Sequence, residues 1–150
     1  MGMSDARTSI LIPVDFSQPS KRAMAWAFEY AQHVPVNLHV LHVVERHMQL
    51  SDLSAGMDAL KAELEEIRTE AEQQLSQLAS AQRQSVGTIR QHVATGKPAA
   101  EIVRVATELG VDMVVMGTHG LTGVERVIIG SVAEQVVRKA PCTVVAVKGE

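Results

Sequence analysis

Three glycines and a serine late in the chain are spaced in a way that suits the binding of a phosphate group. Gly117 follows an apolar run, Gly120 comes three positions later, and nine residues separate Gly120 from the pair Gly130 and Ser131. Glycine has no Cβ, so the backbone can approach a ligand closely. Gly130 and Ser131 precede a helical pattern, and the amides at a helix N-terminus attract anions. The pattern predicts a phosphate-binding loop between a strand and a helix.

Polar side chains inside this loop are weaker candidates for the same ligand. The Ser131 hydroxyl either caps the following helix or donates to a phosphate oxygen. Each of the others, taken alone, is also typical of a solvated loop; they are Thr118, His119, Thr122 and Arg126.

Two other families of phosphate motif do not fit. The dinucleotide fingerprint needs Gly-x-Gly-x-x-Gly after the first strand, where this chain has Asp15, Phe16 and Ser17. A Walker loop needs a glycine five residues before Gly-Lys-Ser/Thr, but Gln91 precedes Gly96-Lys97 at that distance and Pro98 follows.

The histidines do not predict a metal site. His39 and His42 are three positions apart on a strand, which places their side chains on opposite faces. Three others, His33, His47 and His92, fall in separate elements. No catalytic triad or carboxylate pair is evident, so we predict no catalytic residue, and Mg²⁺ only as carried by a nucleotide.

Five strand-like runs alternate with four helix-like runs, which is typical of an α/β fold with an open, doubly wound parallel sheet of the Rossmann-like kind. A polar segment, Glu45 to Gly56, has no assigned role. The predicted strands are Ser9–Val14, with Pro13 at its end, Val36–Val44, Val86–Val93, Met113–Met116 and Thr143–Val147. The first predicted helix has Ser17 as its N-cap, and the other three span Met57–Gln82, Pro98–Gly110 and Ser131–Lys139. The second helix is predicted to carry one apolar stripe, formed by Met57, Leu60, Leu64, Ile67, Ala71, Leu75 and Leu78.

Composition limits the classes of function. The 150 residues are expected to form one domain, 46% of them hydrophobic and only 3% aromatic. A net charge of −3 gives no basis for a nucleic-acid partner, and no apolar run is long enough for a membrane span. The one cysteine, Cys142, is expected to be a small buried hydrophobe, and we expect a cytoplasmic protein.

Over nearly its full length the chain resembles the ATP-binding branch of the universal stress protein family. The glycine loop carries the resemblance, together with three shorter matches, Ile12–Ser17, Leu41–Val44 and Gly96–Pro98. The resemblance implies the strand order 3-2-1-4-5, which places Asp15 and Gly117 side by side at the topological switch point, where such sheets bind ligands. It also implies a homodimer formed through the last strand, Thr143–Val147.

The resemblance also implies roles for individual residues around ATP, ADP or AMP. Asp15 would accept hydrogen bonds from the ribose hydroxyls, although it could instead cap the first helix. Val43 would meet the adenine edge through its backbone, and Pro13 and Gly96 would line the pocket. The remaining residues would wrap the phosphates; they are Gly117, Gly120, Gly130 and Ser131, with Thr118 and His119 beside them.

Three functions are compatible with these residues. The favoured one is a stress-linked sensor, a binding module whose nucleotide state alters a partner interaction. The second is a slow ATPase or self-phosphorylating protein that uses Ser131, Thr118 or Thr122, with His119 or Asp15 assisting proton transfer. The third is a dimerisation module with a vestigial pocket.

Overall fold

Strands and helices alternate along the part of the chain that the computed structural model describes, residues 7–45, 56–81, 89–119 and 129–149. The strands are β1 (Thr8–Pro13), β2 (Val36–Glu45), β3 (Ile89–Gly96), β4 (Met113–Gly117) and β5 (Thr143–Val147). The helices are α1 (Gln18–Ala31), α2 (Met57–Ser80), α3 (Pro98–Leu109) and α4 (Ser131–Lys139). This alternation confirms the predicted α/β class. The polar segment predicted between strand two and helix two falls largely on residues 46–55, outside the described residues.

All five strands belong to one parallel sheet in the order β3-β2-β1-β4-β5. The predicted order is therefore confirmed. Because the strands are parallel, their carboxyl ends lie along one edge of the sheet. β1 is the central strand, with β2 on one side and β4 on the other.

Two hydrophobic layers cover the two faces of the sheet, which explains the continuous apolar run in β1. Ile10 and Ile12 pack with α1 and α2 on one face, and Leu11 packs with α3 and α4 on the other. All three side chains have no exposed surface. A strand buried on both faces has no polar alternation, so β1 reads as uninterrupted apolar sequence.

Local signals define several helix ends. The Ser17 side chain accepts a hydrogen bond from the Ser20 amide at 3.3 Å, so Ser17 is the N-cap of α1, and Pro19 lies in the first turn. Farther along the chain, α3 ends at Leu109 with Gly110 as its C-cap. These predicted boundaries are confirmed.

Two predicted features were wrong. Strand β3 ends at Gly96, not Val93, because its pairing with β2 continues to Glu45 opposite Gly96. Met57 is 59% exposed and does not join the predicted apolar stripe of α2. The deepest contacts of α2 lie in its second half, where Leu75 and Ala79 reach the core.

Cys142 is half-buried and packs against the hydrophobic layer beneath α3 and α4. Burial, with a smaller contribution from Asp112, raises the pKa of its thiol. A raised pKa keeps the group as a thiol, which fits the predicted role as a small hydrophobe. None of the described helices has the length and apolar content that crossing a bilayer requires.

A histidine pair links β2 to its neighbour β3. His39 Nδ1 lies 3.0 Å from His92 Nε2, and His39 is only 5% exposed. The sequence placed these histidines in separate elements, but the register of β2 and β3 brings them together. Burial is the main cause that lowers the pKa of both imidazoles, and Arg90 lowers both further. The neutral pair is therefore the stable form, one ring donating and the other accepting.

This pair predicts that acid weakens the fold. Because folding lowers both pKa values, the unfolded chain binds more protons than the folded chain as the pH falls below the usual histidine value of 6.5. The contribution of the pair is thus present above pH 6.5 and declines below it. Urea denaturation should show a free energy of unfolding that falls between about pH 7.5 and about pH 5.5.

Two variants distinguish the effect of this histidine pair on the pH dependence of stability from that of another histidine. His39→Leu combined with His92→Gln should flatten the slope of stability against pH, whereas His33→Gln, at an exposed position, should leave it unchanged. A double variant with the wild-type slope would show that the pair does not cause the pH dependence.

Candidate functional site

The sheet opens between β1 and β4 at its carboxyl edge. These two strands pair over only two residues, Ile10 with Met113 and Leu11 with Val114. Beyond them β1 continues to Pro13 and β4 continues to Gly117. The strands therefore separate as they approach the edge where ligands bind in open α/β sheets. This opening has the predicted Asp15 on one side and the predicted Gly117 on the other.

The turn after β1 fixes the Asp15 carboxylate. Its Oδ1 accepts a hydrogen bond from the Ser17 amide at 3.0 Å and a second, short one from the Ser17 hydroxyl. Ser17 in turn caps α1. Asp15 is therefore not the N-cap of α1, so the alternative to its binding role is wrong. Instead, its carboxylate orients Ser17, which is the N-cap.

Gly117 ends β4 directly beneath the start of α1. A Cβ at this position would lie 2.9 Å from the backbone carbon and oxygen of Pro19, closer than real Cβ atoms come to such atoms. Glycine is thus required here for packing between β4 and α1. The phosphate pattern in the sequence did not reveal this second role.

The two ends of the loop that follows β4 meet at Thr118. The Thr118 amide donates to the Val147 carbonyl at 3.2 Å, and the Thr118 carbonyl accepts from the Gly130 amide at 2.5 Å. The Thr118 hydroxyl lies 3.0 Å from His119 Nδ1, and Thr118 is only 4% exposed. Three predicted residues of this loop lie outside the described residues; they are Gly120, Thr122 and Arg126.

The start of α4 differs in detail from the prediction. Gly130 is the N-cap, its amide points to Thr118, and a Cβ on it would lie 2.9 Å from the Thr118 oxygen. Ser131 is the first helical residue, is exposed, and makes no capping hydrogen bond. The capping alternative for Ser131 is therefore wrong. Amides in the first turn of a helix lack intrahelical acceptors, and at this helix those amides begin at Ser131.

Val43 directs its backbone toward the same opening. The Leu41 carbonyl accepts from the Val14 amide at 2.7 Å, so Leu41 turns its backbone groups toward β1. Alternate residues of a parallel strand face the same neighbour, which means that Val43 does so too. Because β1 pairs with β2 only as far as Pro13 opposite Leu41, Val43 lies beyond its end. Its side chain packs in the layer under α3.

The fold thus brings most of the predicted residues to one edge of the sheet. Gly96 is farther along, at the end of β3, with φ +148 and the Glu101 side chain beside it. Among the described residues, no group of three or more His, Cys, Asp or Glu side chains is arranged to hold a metal ion. Those gathered near the opening are Pro13, Asp15, Val43, Gly117, Thr118, His119, Gly130 and Ser131.

Sequence reasoning missed two residues at this site. Pro19 covers Gly117, a contact that its place in the first turn of α1 does not predict. His42 was considered only as a metal ligand, yet its Nδ1 lies 2.7 Å from the Val14 carbonyl. Nothing in the sequence signals the contact between Pro19 and Gly117. The contact between His42 and Val14 could be found only from the register of β1 against β2.

Comparison with known proteins decides the family. The family model described as "Universal stress protein family" matches residues 7–148. The chain belongs to the universal stress protein family. It is 33% identical over 139 residues to the universal stress protein MJ0531 of Methanocaldococcus jannaschii, covering 93% of this chain and 81% of that one. The family resemblance in the sequence is therefore confirmed.

Solved universal stress proteins share the fold. The structure of MJ0577 from Methanocaldococcus jannaschii superimposes with a TM-score of 0.81 at 27% identity, covering 96% of this chain and 97% of that one. The universal stress protein from Archaeoglobus fulgidus, solved in complex with dAMP, matches with a TM-score of 0.64 at 24% identity, covering 93% and 96%.

Gly117→Ala should destabilise this universal stress protein. The added methyl group would force Pro19 and the start of α1 to move, at a cost of about 1–3 kcal/mol in the free energy of unfolding. Ser131→Ala is the matched control, since the exposed hydroxyl caps nothing and its loss should change stability by less than about 0.5 kcal/mol. Urea denaturation at neutral pH measures both; equal stability of Gly117→Ala and wild type would contradict this packing.

Proposed function

We propose that this universal stress protein binds ATP, ADP or AMP in the opening between β1 and β4, and acts in the cytoplasm as a stress-linked sensor or regulatory module. The observation that carries the proposal is the two-residue pairing of these strands. Beyond that pairing, the turn that carries Asp15 and the N-terminus of α4 lie at the topological switch point, where open α/β sheets bind ligands.

Asp15 is the proposed ribose ligand. One carboxylate oxygen is held by the amide and hydroxyl of Ser17, which fixes the direction of the whole group. A carboxylate accepts strongly from paired hydroxyl donors, such as the 2′ and 3′ hydroxyls of a ribose. The order imposed by Ser17 means that little conformational entropy is lost on binding.

The two ends of the nucleotide would meet backbone groups. Val43 presents an amide and a carbonyl past the end of β1, a donor and acceptor pair that suits the edge of adenine. The first-turn amides of α4 and the exposed Ser131 hydroxyl suit the phosphates. Pro13 and Gly96 would border the pocket, and Gly117, Gly120, Gly130, Thr118 and His119 would form its phosphate side. Any Mg²⁺ would arrive bound to the nucleotide.

A relative of the same fold supports this choice of ligand. The Archaeoglobus fulgidus protein was solved with dAMP, an adenine nucleotide. The dAMP molecule shares the adenine, the phosphate and the 3′ hydroxyl of the nucleotides proposed here, and it lacks only the 2′ hydroxyl that Asp15 would also bind.

Binding is favoured over catalysis by the state of the candidate nucleophiles. The Thr118 hydroxyl is buried and already shares a hydrogen bond with His119. Ser131 is exposed, but no described residue is hydrogen-bonded to its hydroxyl as a general base in the structure. If the protein phosphorylates itself, Ser131 is the described residue best placed to accept the phosphoryl group.

Isothermal titration calorimetry with ATP tests the pocket through two conservative variants. Asp15→Asn keeps an oxygen that can accept from the Ser17 amide but removes the charge, and should weaken binding by about tenfold or more. Ser131→Ala should weaken it by about two- to tenfold. Unchanged affinity in both would refute this site.

The matched controls are Asp58→Asn and Ser80→Ala, both exposed on α2 and neither among the proposed ligand contacts. They should bind ATP as the wild type does. Gly130 is a poor test position, because any side chain there would strike the Thr118 carbonyl and disturb the loop as well as the ligand.

We also propose a homodimer formed through β5. Within the described residues β5 pairs with β4 alone, so its other edge is open, and an open strand edge is a template for a second strand. Val144, Val145 and Val147 are only half-buried in one chain. Pairing with the same strand of a second copy would cover them and satisfy the exposed backbone.

A charge on this edge should prevent dimerisation. Ala146 is exposed on β5, and Ala146→Lys would place an ammonium group against its own copy in the partner. Sedimentation at micromolar concentration should give about twice 16.2 kDa for the wild type and about 16.2 kDa for the variant. Ala100→Lys, exposed on α3, is the matched control and should stay dimeric; a monomeric wild type would rule the dimer out.

A further inference from the structure

His42 contacts the turn that carries Asp15. It lies half-buried near the carboxyl end of β2, with Nδ1 2.7 Å from the Val14 carbonyl oxygen. A carbonyl only accepts hydrogen bonds, so Nδ1 must carry a proton. In the neutral imidazole this places the proton on Nδ1 and leaves Nε2 as the acceptor nitrogen.

The same imidazole ring supports the residue on the other side of Asp15. The centroids of the His42 and Phe16 rings are 4.6 Å apart, at an interplanar angle of 37°. Phe16 has φ +64, a left-handed conformation that is uncommon for a bulky residue and costs energy. Its side chain also packs against the core layer under α1 and α2. The ring contacts therefore stabilise a turn that the backbone alone would disfavour.

His42 thus holds both neighbours of Asp15. Val14 is held through its carbonyl and Phe16 through its ring, while Ser17 holds the carboxylate itself. Without the imidazole, the chain between β1 and α1 would lose one contact on each side of Asp15. The side chain of His42 reaches this turn from a neighbouring strand, 28 positions along the sequence.

We propose that His42 is a positioning residue of the nucleotide pocket, which keeps the Asp15 carboxylate directed at the ribose hydroxyls. This inference rests on the proposed function. His42 acts through Asp15 and not by touching the nucleotide, so its loss should weaken the recognition of ribose hydroxyls selectively. A purely structural role would instead lower stability and weaken all nucleotides equally.

The ratio of two dissociation constants separates these roles. Wild-type protein should bind ATP about tenfold more tightly than 2′,3′-dideoxy-ATP, because only ATP offers hydroxyls to Asp15. His42→Phe keeps an aromatic ring beside Phe16 but removes the Nδ1 donor, and should reduce this ratio at least about threefold. In an Asp15→Asn background, where the ratio is already lost, His42→Phe should change it no further.

His33→Phe provides the matched control, since His33 is exposed in the turn after α1. It should keep the wild-type ratio. A wild-type ratio in His42→Phe, or an equal loss of affinity for both nucleotides, would overturn the inference while leaving nucleotide binding established. A wild type that binds neither nucleotide would refute the proposed function, and the inference with it.

A nucleotide-free measurement tests the geometry directly. Nitrogen-15 NMR of the imidazoles should show His42 with its proton on Nδ1 at neutral pH. A ring protonated only on Nε2 could not donate to the Val14 carbonyl, and that result would also overturn the inference.

Discussion

The short pairing between β1 and β4 is the constraint on which the site depends. Both strands lie in the buried centre of the sheet, and they share only two paired residues before their carboxyl ends separate. The helices that follow them begin at this edge of the sheet, which brings the turn that carries Asp15 and the N-terminus of α4 to the same edge. Longer pairing would close the crevice and leave Asp15 and the glycine loop with nothing between them. The proposed nucleotide site is a consequence of this topology.

Contacts within the protein fix the residues on both sides of the opening between β1 and β4. Gly117 lies against Pro19, and Gly130 is tied to Thr118. On the other side, Asp15 is fixed by Ser17, and the turn around it is held by His42. A ligand that enters meets groups already in place, which reduces the entropy lost on binding. The glycines serve packing and are also proposed to border the ligand, so their substitution would affect both at once.

Much of the fold could be predicted from the sequence because the signals were local. The apolar runs, the Ser17 cap and Gly110 depend on neighbours within a few residues, and their elements appear as predicted. The end of β3 was missed because strand length depends on the register of its neighbour β2. The His39–His92 pair was missed for the same reason, since no local pattern reveals which residues of two strands come to lie side by side.

The site was predictable in its residue types but not in its detailed contacts. The glycine spacing and the family resemblance indicated Asp15 and Ser131, and the structure places both at the edge where β1 and β4 separate. The sequence could not decide whether Ser131 caps its helix; the structure gives that position to Gly130. His42 was invisible as a support because its partner is a backbone carbonyl, which every residue possesses.

The central claim is that the crevice between β1 and β4 holds an adenine nucleotide. Its most direct test is mass spectrometry of the small molecules released when the purified protein is denatured, followed by titration with ATP. Wild-type protein should release an adenine nucleotide or bind added ATP, and Asp15→Asn should show a clear loss of either. Well-folded wild-type protein that releases no nucleotide and gives no heat with ATP would contradict it.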